Sequence, residues 1–129
     1  CGNLSAQVEL SQPPEKYSLR ACDCDFCCMH GAAYLSDPQG QIQFHIQNPK
    51  LLNKFRQGSE TAEFLVCGTC GVLVGVVFQE NSKTYGAINS RTILRTSFGE
   101  TITVSPKKLS KDEKTKRWQE VWFSKISGI

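Results

Sequence analysis

Leu4, Ala6, Val8 and Leu10 alternate with Ser5, Gln7 and Glu9. A period of two marks a half-buried strand, so a first strand is expected over 4–10, ended by Pro13 and Pro14. Residues 17–21 read as a second, short strand running into a cysteine-rich stretch. Runs at 33–36 and 41–47 bracket Asp37-Pro38-Gln39-Gly40. Asp first, Pro second and Gly fourth suit a type I turn, and the two runs read as a hairpin. In the second of them Ile42, Phe44 and Ile46 share one face, with Gln43, His45 and Gln47 on the other. Further runs at 51–57 and 62–66 flank Gly58-Ser59-Glu60, runs at 72–79 and 84–88 flank 80–83, and 102–104 makes a short strand. The expected fold is mainly β, with frequent turns, no internal repeat and no dividing linker.

The tail changes period. Ser110 followed three residues later by Glu113 is a capping-box signature. Trp118, Val121, Trp122 and Ile126 then recur at helical spacing, which predicts one amphipathic helix over 111–125. Its aromatic stripe is read as packing rather than a base-stacking site. Lys107, Lys108, Lys111, Lys114, Lys116 and Arg117 form a basic cluster, diluted by Asp112 and Glu113. A solvated helix start is the favoured reading of that cluster; nucleic acid as a partner would rest on it alone and is disfavoured.

A length of 129 residues suggests one domain spanning 1–129. Apolar residues at 40% and charged residues at 21% exclude a disordered chain. The longest apolar run, 72–78, is interrupted by Gly75 and falls far short of the ~20 residues of a membrane span, so no membrane partner is expected. No secretory signal is visible, which favours a cytoplasmic location. The first residue is Cys1 rather than methionine, read as trimming or missing residues. A net charge of +3 is too mild to argue for nucleic acid. Seven cysteines, odd in number and tightly grouped, fit a disulfide framework poorly and point to metal binding or reactivity.

Those cysteines fall at Cys1, at Cys22, Cys24, Cys27 and Cys28, and at Cys67 and Cys70. The middle group contains Cys-x-Cys-x-x-Cys and the last is Cys67-Gly68-Thr69-Cys70-Gly71. A Cys-x-x-Cys turn folds back so that its N–H groups point at the sulfurs, and Cys-x-Cys puts two side chains on one face of an extended segment. Two such motifs in one small chain favour metal ligation over buried free thiols. A dithiol redox pair is the third option, without the βαβ context of thioredoxin-like enzymes. Six candidates outside Cys28 exceed the four positions of a tetrahedral zinc, so two sites, or one site plus reactive thiols, follow. Three cysteines within six residues fill three positions and leave a fourth open, the mark of a catalytic rather than a structural zinc. Three thiolates outweigh the charge of the ion, which favours capture of another thiol over activation of water. Of the two histidines, His45 falls on a polar strand face, and His30 either lines the site or caps a turn.

With these residues in place, the chain resembles the glutathione-dependent formaldehyde-activating enzymes and their centromere-protein V-like relatives. The family pattern is Cys-x-Cys-Gly, a strand, Cys-x-Cys-x-x-Cys, and Cys-x-x-Cys-Gly. Cys1-Gly2 matches the second half of the first motif, Cys22, Cys24 and Cys27 the second, and Cys67, Cys70 and Gly71 the third. The likeness covers residues 1 to 95. It implies a twisted, mainly β zinc fold like that of methionine sulfoxide reductase B. It implies a structural zinc on Cys1, Cys67 and Cys70, with a fourth cysteine two positions before Cys1. It also implies a catalytic zinc on Cys22, Cys24 and Cys27, and an activity adding glutathione to formaldehyde, classed as a carbon–sulfur lyase in reverse.

Many relatives carry basic residues where Cys28 and Met29 stand, and often histidine where Asp23 stands. Four readings follow. The first is an enzyme joining glutathione, or a similar thiol, to a small aldehyde. The second is a zinc-binding interaction domain without catalysis, and the third a thiol redox protein. Nucleic-acid binding is the fourth. Unpaired sheet edges and the tail helix could also support a homodimer.

Overall fold

The computed structural model describes residues 1–129. Ten strands form two sheets. In chain order they are β1 (Leu4–Glu9), β2 (Leu19–Cys22), β3 (Tyr34–Leu35), β4 (Gln41–Ile46), β5 (Leu52–Phe55), β6 (Glu63–Cys67), β7 (Leu73–Glu80), β8 (Lys83–Asn89), β9 (Thr101–Val104) and β10 (Lys125–Ser127). Two α-helices accompany them, α1 (Asp25–Met29) and α2 (Lys111–Val121). The smaller sheet has the order β1-β4-β10 and the larger β5-β6-β7-β8-β3-β2-β9. The fold is thus mainly β, as the alternation predicts, and no helix is long and apolar enough to cross a membrane.

β7 organises the interior. Its residues Leu73–Phe78 are all buried, with apolar side chains on both sides of Gly75, as a strand covered on both faces carries. Val74 and Val77 pack with Leu4, Ile42, Phe44, Ile88 and Phe123 between the two sheets. Val76 and Phe78 pack with Tyr34, Phe64, Cys27 and Trp122 beneath the two helices. The second cluster brings the cysteine-rich segment, β3 and the tail helix together.

The expected hairpin over 33–47 does not form. Its turn does: the Gly40 N–H donates to the Asp37 carbonyl at 3.1 Å, closing the four-residue turn. The strands on either side then part, β3 pairing with β2 and β8 and β4 with β1 and β10. Buried Asp37 is why. Its carboxylate accepts from the Ser11 N–H (2.8 Å), the Ser11 hydroxyl (2.8 Å), the Tyr17 hydroxyl (2.7 Å) and the Gln39 N–H (2.9 Å), which ties the turn to the segment after β1. Burial opposes its charge, but these donors outweigh burial and hold the carboxyl below its usual range. Gly40 permits the close approach: a Cβ there would lie 2.5 Å from the Glu9 carbonyl oxygen and 2.7 Å from the Phe123 ring.

The tail helix is shorter than predicted. It starts on the expected capping box, with Ser110 and Glu113 each accepting from the other's backbone N–H. It ends at Val121, not at 125. Phe123, fully buried, exchanges two backbone hydrogen bonds with Gly86 (3.0 and 2.9 Å), and β10 then joins β4 in parallel. Burying Phe123 between the sheets requires the chain to leave the helix one turn early, so Ile126 sits in a strand although its spacing fits the helix.

Candidate metal centres

The middle cysteine motif spans a strand end and a helix start. Cys22 closes β2, and Cys24 is the N-cap of α1, its sulfur accepting from the Cys27 N–H at 3.5 Å. That one turn of helix turns Cys27 back, buried, toward the other two sulfurs. Asp23, between them, anchors the motif to the segment after β9: it accepts from the Ser105 hydroxyl and pairs with Lys107 Nζ at 3.8 Å. The Tyr34 hydroxyl, from β3, lies 3.2 Å from Cys27 Sγ.

The third motif is the turn between β6 and β7. Gly71, at φ +74°, closes it by donating to the Cys67 carbonyl at 2.8 Å. Cys1 is brought alongside by Asn3, whose side-chain oxygen accepts from the Asn48 N–H at 3.0 Å. Cys1 Sγ and Cys67 Sγ are 3.5 Å apart.

Two groups of three thiols result, Cys22/Cys24/Cys27 and Cys1/Cys67/Cys70, with the sulfurs of each within 4.8 Å of one another. Zinc–sulfur bonds of ~2.3 Å place the sulfurs of a tetrahedral site about 3.8 Å apart, so both groups fit a metal ion and are compatible with zinc. No fourth Cys, His, Asp or Glu joins either group. Cys28, exposed, points elsewhere, its sulfur 3.8 Å from the Cys22 carbonyl. His30 is exposed and packs against the Phe26 ring, 4.7 Å between centroids, and His45 is exposed on β4.

The thiols of the middle group differ in acidity. The hydrogen bond from Cys27 brings Cys22 down to about 6, while that pairing and burial push Cys27 up. Burial also raises Cys24. Burial and the adjacent Cys27 raise Tyr34, so its hydroxyl keeps its proton. In the other group the Cys70 backbone N–H brings Cys67 down to about 7.

The surroundings separate the two groups. Cys22, Cys24 and Cys27 line a cavity of about 270 Å³; Cys1, Cys67 and Cys70 do not. Its apolar wall includes Phe64, Val76, Trp118 and Trp122, the two indoles stacked at 4.6 Å. Arg20, Lys107, Lys114 and Arg117 also line it. Burial and the neighbouring Arg117 charge lower the Arg20 guanidinium from its ordinary value. The basic cluster, expected to be a solvated helix start, therefore divides: Lys114, half-buried, and Lys107 and Arg117, both solvent-exposed, line the cavity, while Lys108, Lys111 and Lys116 are exposed and do not. The available signal was spacing, since Lys114, Arg117, Trp118 and Val121 stand at i, i+3, i+4 and i+7 on one helix face.

Among solved structures, the chain is similar to a crystal structure of a Rhodobacter sphaeroides protein, a Northeast Structural Genomics target. The TM-score is 0.58 and the identity 24%, covering 75% of this chain and 85% of that one. The likeness is one of fold. No family model and no curated protein matches the chain.

Proposed function

We propose that the protein is a zinc-dependent enzyme of the carbon–sulfur lyase type. It would add glutathione, or a similar thiol, to formaldehyde or another small aldehyde. The observation that carries this reading is the convergence of three sulfurs, without a fourth protein ligand, on the wall of a cavity large enough for a substrate. Cys22, Cys24 and Cys27 would hold the catalytic ion, and Cys1, Cys67 and Cys70 a structural one. When bound, zinc supplies a Lewis acid that favours the thiolate form of an incoming thiol.

The chain's own groups do the rest. Cys24 caps α1 and Asp23 pins the motif to the segment after β9, so the three sulfurs sit on a braced frame. Tyr34 is placed to donate its proton to Cys27 Sγ and orient it. The apolar wall keeps water away, and the cavity cations favour a reactant with negative charge. In the reaction the thiolate sulfur bonds to the carbonyl carbon. The π pair moves to oxygen, which takes up a proton, and the thiol has already released one, so the product is a hemithioacetal with no net gain or loss of protons.

The test is magnetisation-exchange NMR between formaldehyde hydrate and S-hydroxymethylglutathione, with the metal-loaded protein present. Exchange faster than the uncatalysed rate, lost in Cys24→Ser, supports the proposal. The uncatalysed rate with both sites loaded overturns it. That result would favour a zinc-binding interaction domain, for which Met29, 80% exposed beside the motif, offers an apolar contact.

A further inference from the structure

The cavity beside Cys22, Cys24 and Cys27 has a charge imbalance that the cysteines do not explain. Four cationic side chains line it and no Asp or Glu does. Lys107 is paired with Asp23, but Arg20, Lys114 and Arg117 belong to none of the ion pairs in the structure. Arg20 bonds to the Ser36 hydroxyl and Lys114 to the Ser59 hydroxyl, neutral partners that leave the charges uncompensated. Three thiolates around a divalent ion carry one excess negative charge. With Asp23 they account for two of the four cations, and two remain.

The rest of the wall is apolar and large for a one-carbon reactant. At about 270 Å³ it exceeds the ~150 Å³ in which a benzene is accommodated. Formaldehyde offers neither apolar surface for the Trp118–Trp122 stack nor negative charge for two arginines.

We infer that this cavity binds an amphiphilic organic acid, with its carboxylate at Arg20 and Arg117 and an aromatic or branched apolar body against Trp118 and Trp122. The inference rests on the thiol-addition reading only for which reactant carries the acid, the thiol or the carbonyl compound. Guanidinium is suited to the task, because it presents a planar pair of donors to a carboxylate and stays charged when partly buried.

Both tryptophans of the chain line the cavity, so intrinsic fluorescence reports its occupancy. The metal-loaded protein is titrated with 3-phenylpropanoate and with its neutral isostere 3-phenylpropanamide. The expected result is a saturable change with the acid, with affinity about tenfold or more above that of the amide. Arg117→Gln should reduce the acid to the affinity of the amide, and Lys116→Gln, one residue along and outside the cavity, should leave the difference intact. No saturable change, equal affinities, or a preference that survives Arg117→Gln would overturn the inference.

The source of the acid is separated by two reactions, 4-formylbenzoate with glutathione and 2-sulfanylbenzoate with formaldehyde. Acceleration of the first places the acid on the carbonyl reactant, and acceleration of the second places it on the thiol. Acid-selective binding with neither reaction accelerated upholds the cavity assignment and counts against the thiol-addition reading. Accelerated glutathione–formaldehyde exchange without acid-selective binding does the reverse.

Discussion

Replacing Tyr34 with phenylalanine deletes a single oxygen and tests how the middle cysteine group holds a metal. Tyr34 is 7% exposed and its hydroxyl lies 3.2 Å from Cys27 Sγ, so water has little access to replace it. With Cys27 in the thiolate form a ligand must take, only the hydroxyl can donate. A hydrogen bond to a charged group is worth about 1.5–3 kcal/mol, which at about 1.4 kcal/mol per decade is roughly 10–100-fold in affinity. Loss of a hydrogen bond to a metal ligand typically costs about 10–100-fold. Tyr34 makes no hydrogen bond to Cys1, Cys67 or Cys70. Zinc competition against a chromophoric chelator should therefore show two binding phases, with Tyr34→Phe weakening only the one that survives Cys67→Ser. Unchanged phases, or two that weaken equally, would refute a specific role for the hydroxyl.

Asp37→Asn should destabilise the protein by about 1.5–3 kcal/mol at pH 7. The Asp37 carboxyl is held below its usual range, so its stabilisation is present above that range and lost as the pH falls through the folded-state value; urea unfolding at pH 7 and pH 3 should show a smaller penalty in acid, and equal penalties would contradict this. Gly40→Ala forces a Cβ against the Glu9 carbonyl and the Phe123 ring and should cost about 1–3 kcal/mol, with a wild-type melting temperature as the contrary result. In metal-stripped protein Cys22 should be alkylated with a rate that rises through pH 6, read by mass spectrometry of the labelled peptide; a midpoint at the ordinary thiol value, about 8.5, would contradict the hydrogen-bonded arrangement with Cys27.

The sequence carries these features unequally. Strand positions follow from alternation, because a half-buried strand writes its two faces directly into the chain, as in 4–10 and 41–47. Cys22, Cys24 and Cys27, and the pair Cys67 and Cys70, are equally legible, since a metal site needs short, fixed ligand spacings; that Cys1 joins Cys67, 66 residues away, is implied only by the family resemblance. Strand partners were not. The turn residues at 37–40 describe a local bend, but whether β3 and β4 pair is decided by Asp37 and its bonds to Ser11 and Tyr17, distant in sequence. The helix end was hidden because Ile126 continues the helical period by coincidence, while the burial of Phe123 is a tertiary event. The cavity was least visible. Arg20 lies on β2 and Arg117 on α2, so nothing local shows that they meet. The helical spacing of the tail aromatics predicts packing, which Trp122 does, but not the cavity wall that it forms with Trp118.

The central claim is that Cys22, Cys24 and Cys27 hold one ion and leave a position open toward the cavity. Its most direct test is the absorption spectrum of the cobalt-substituted protein during titration with glutathione. The expected result is a saturable rise in sulfur-to-cobalt charge-transfer absorbance, retained in Cys70→Ser and lost in Cys24→Ser. A spectrum indifferent to glutathione, with cobalt bound at the middle cysteines, would contradict it.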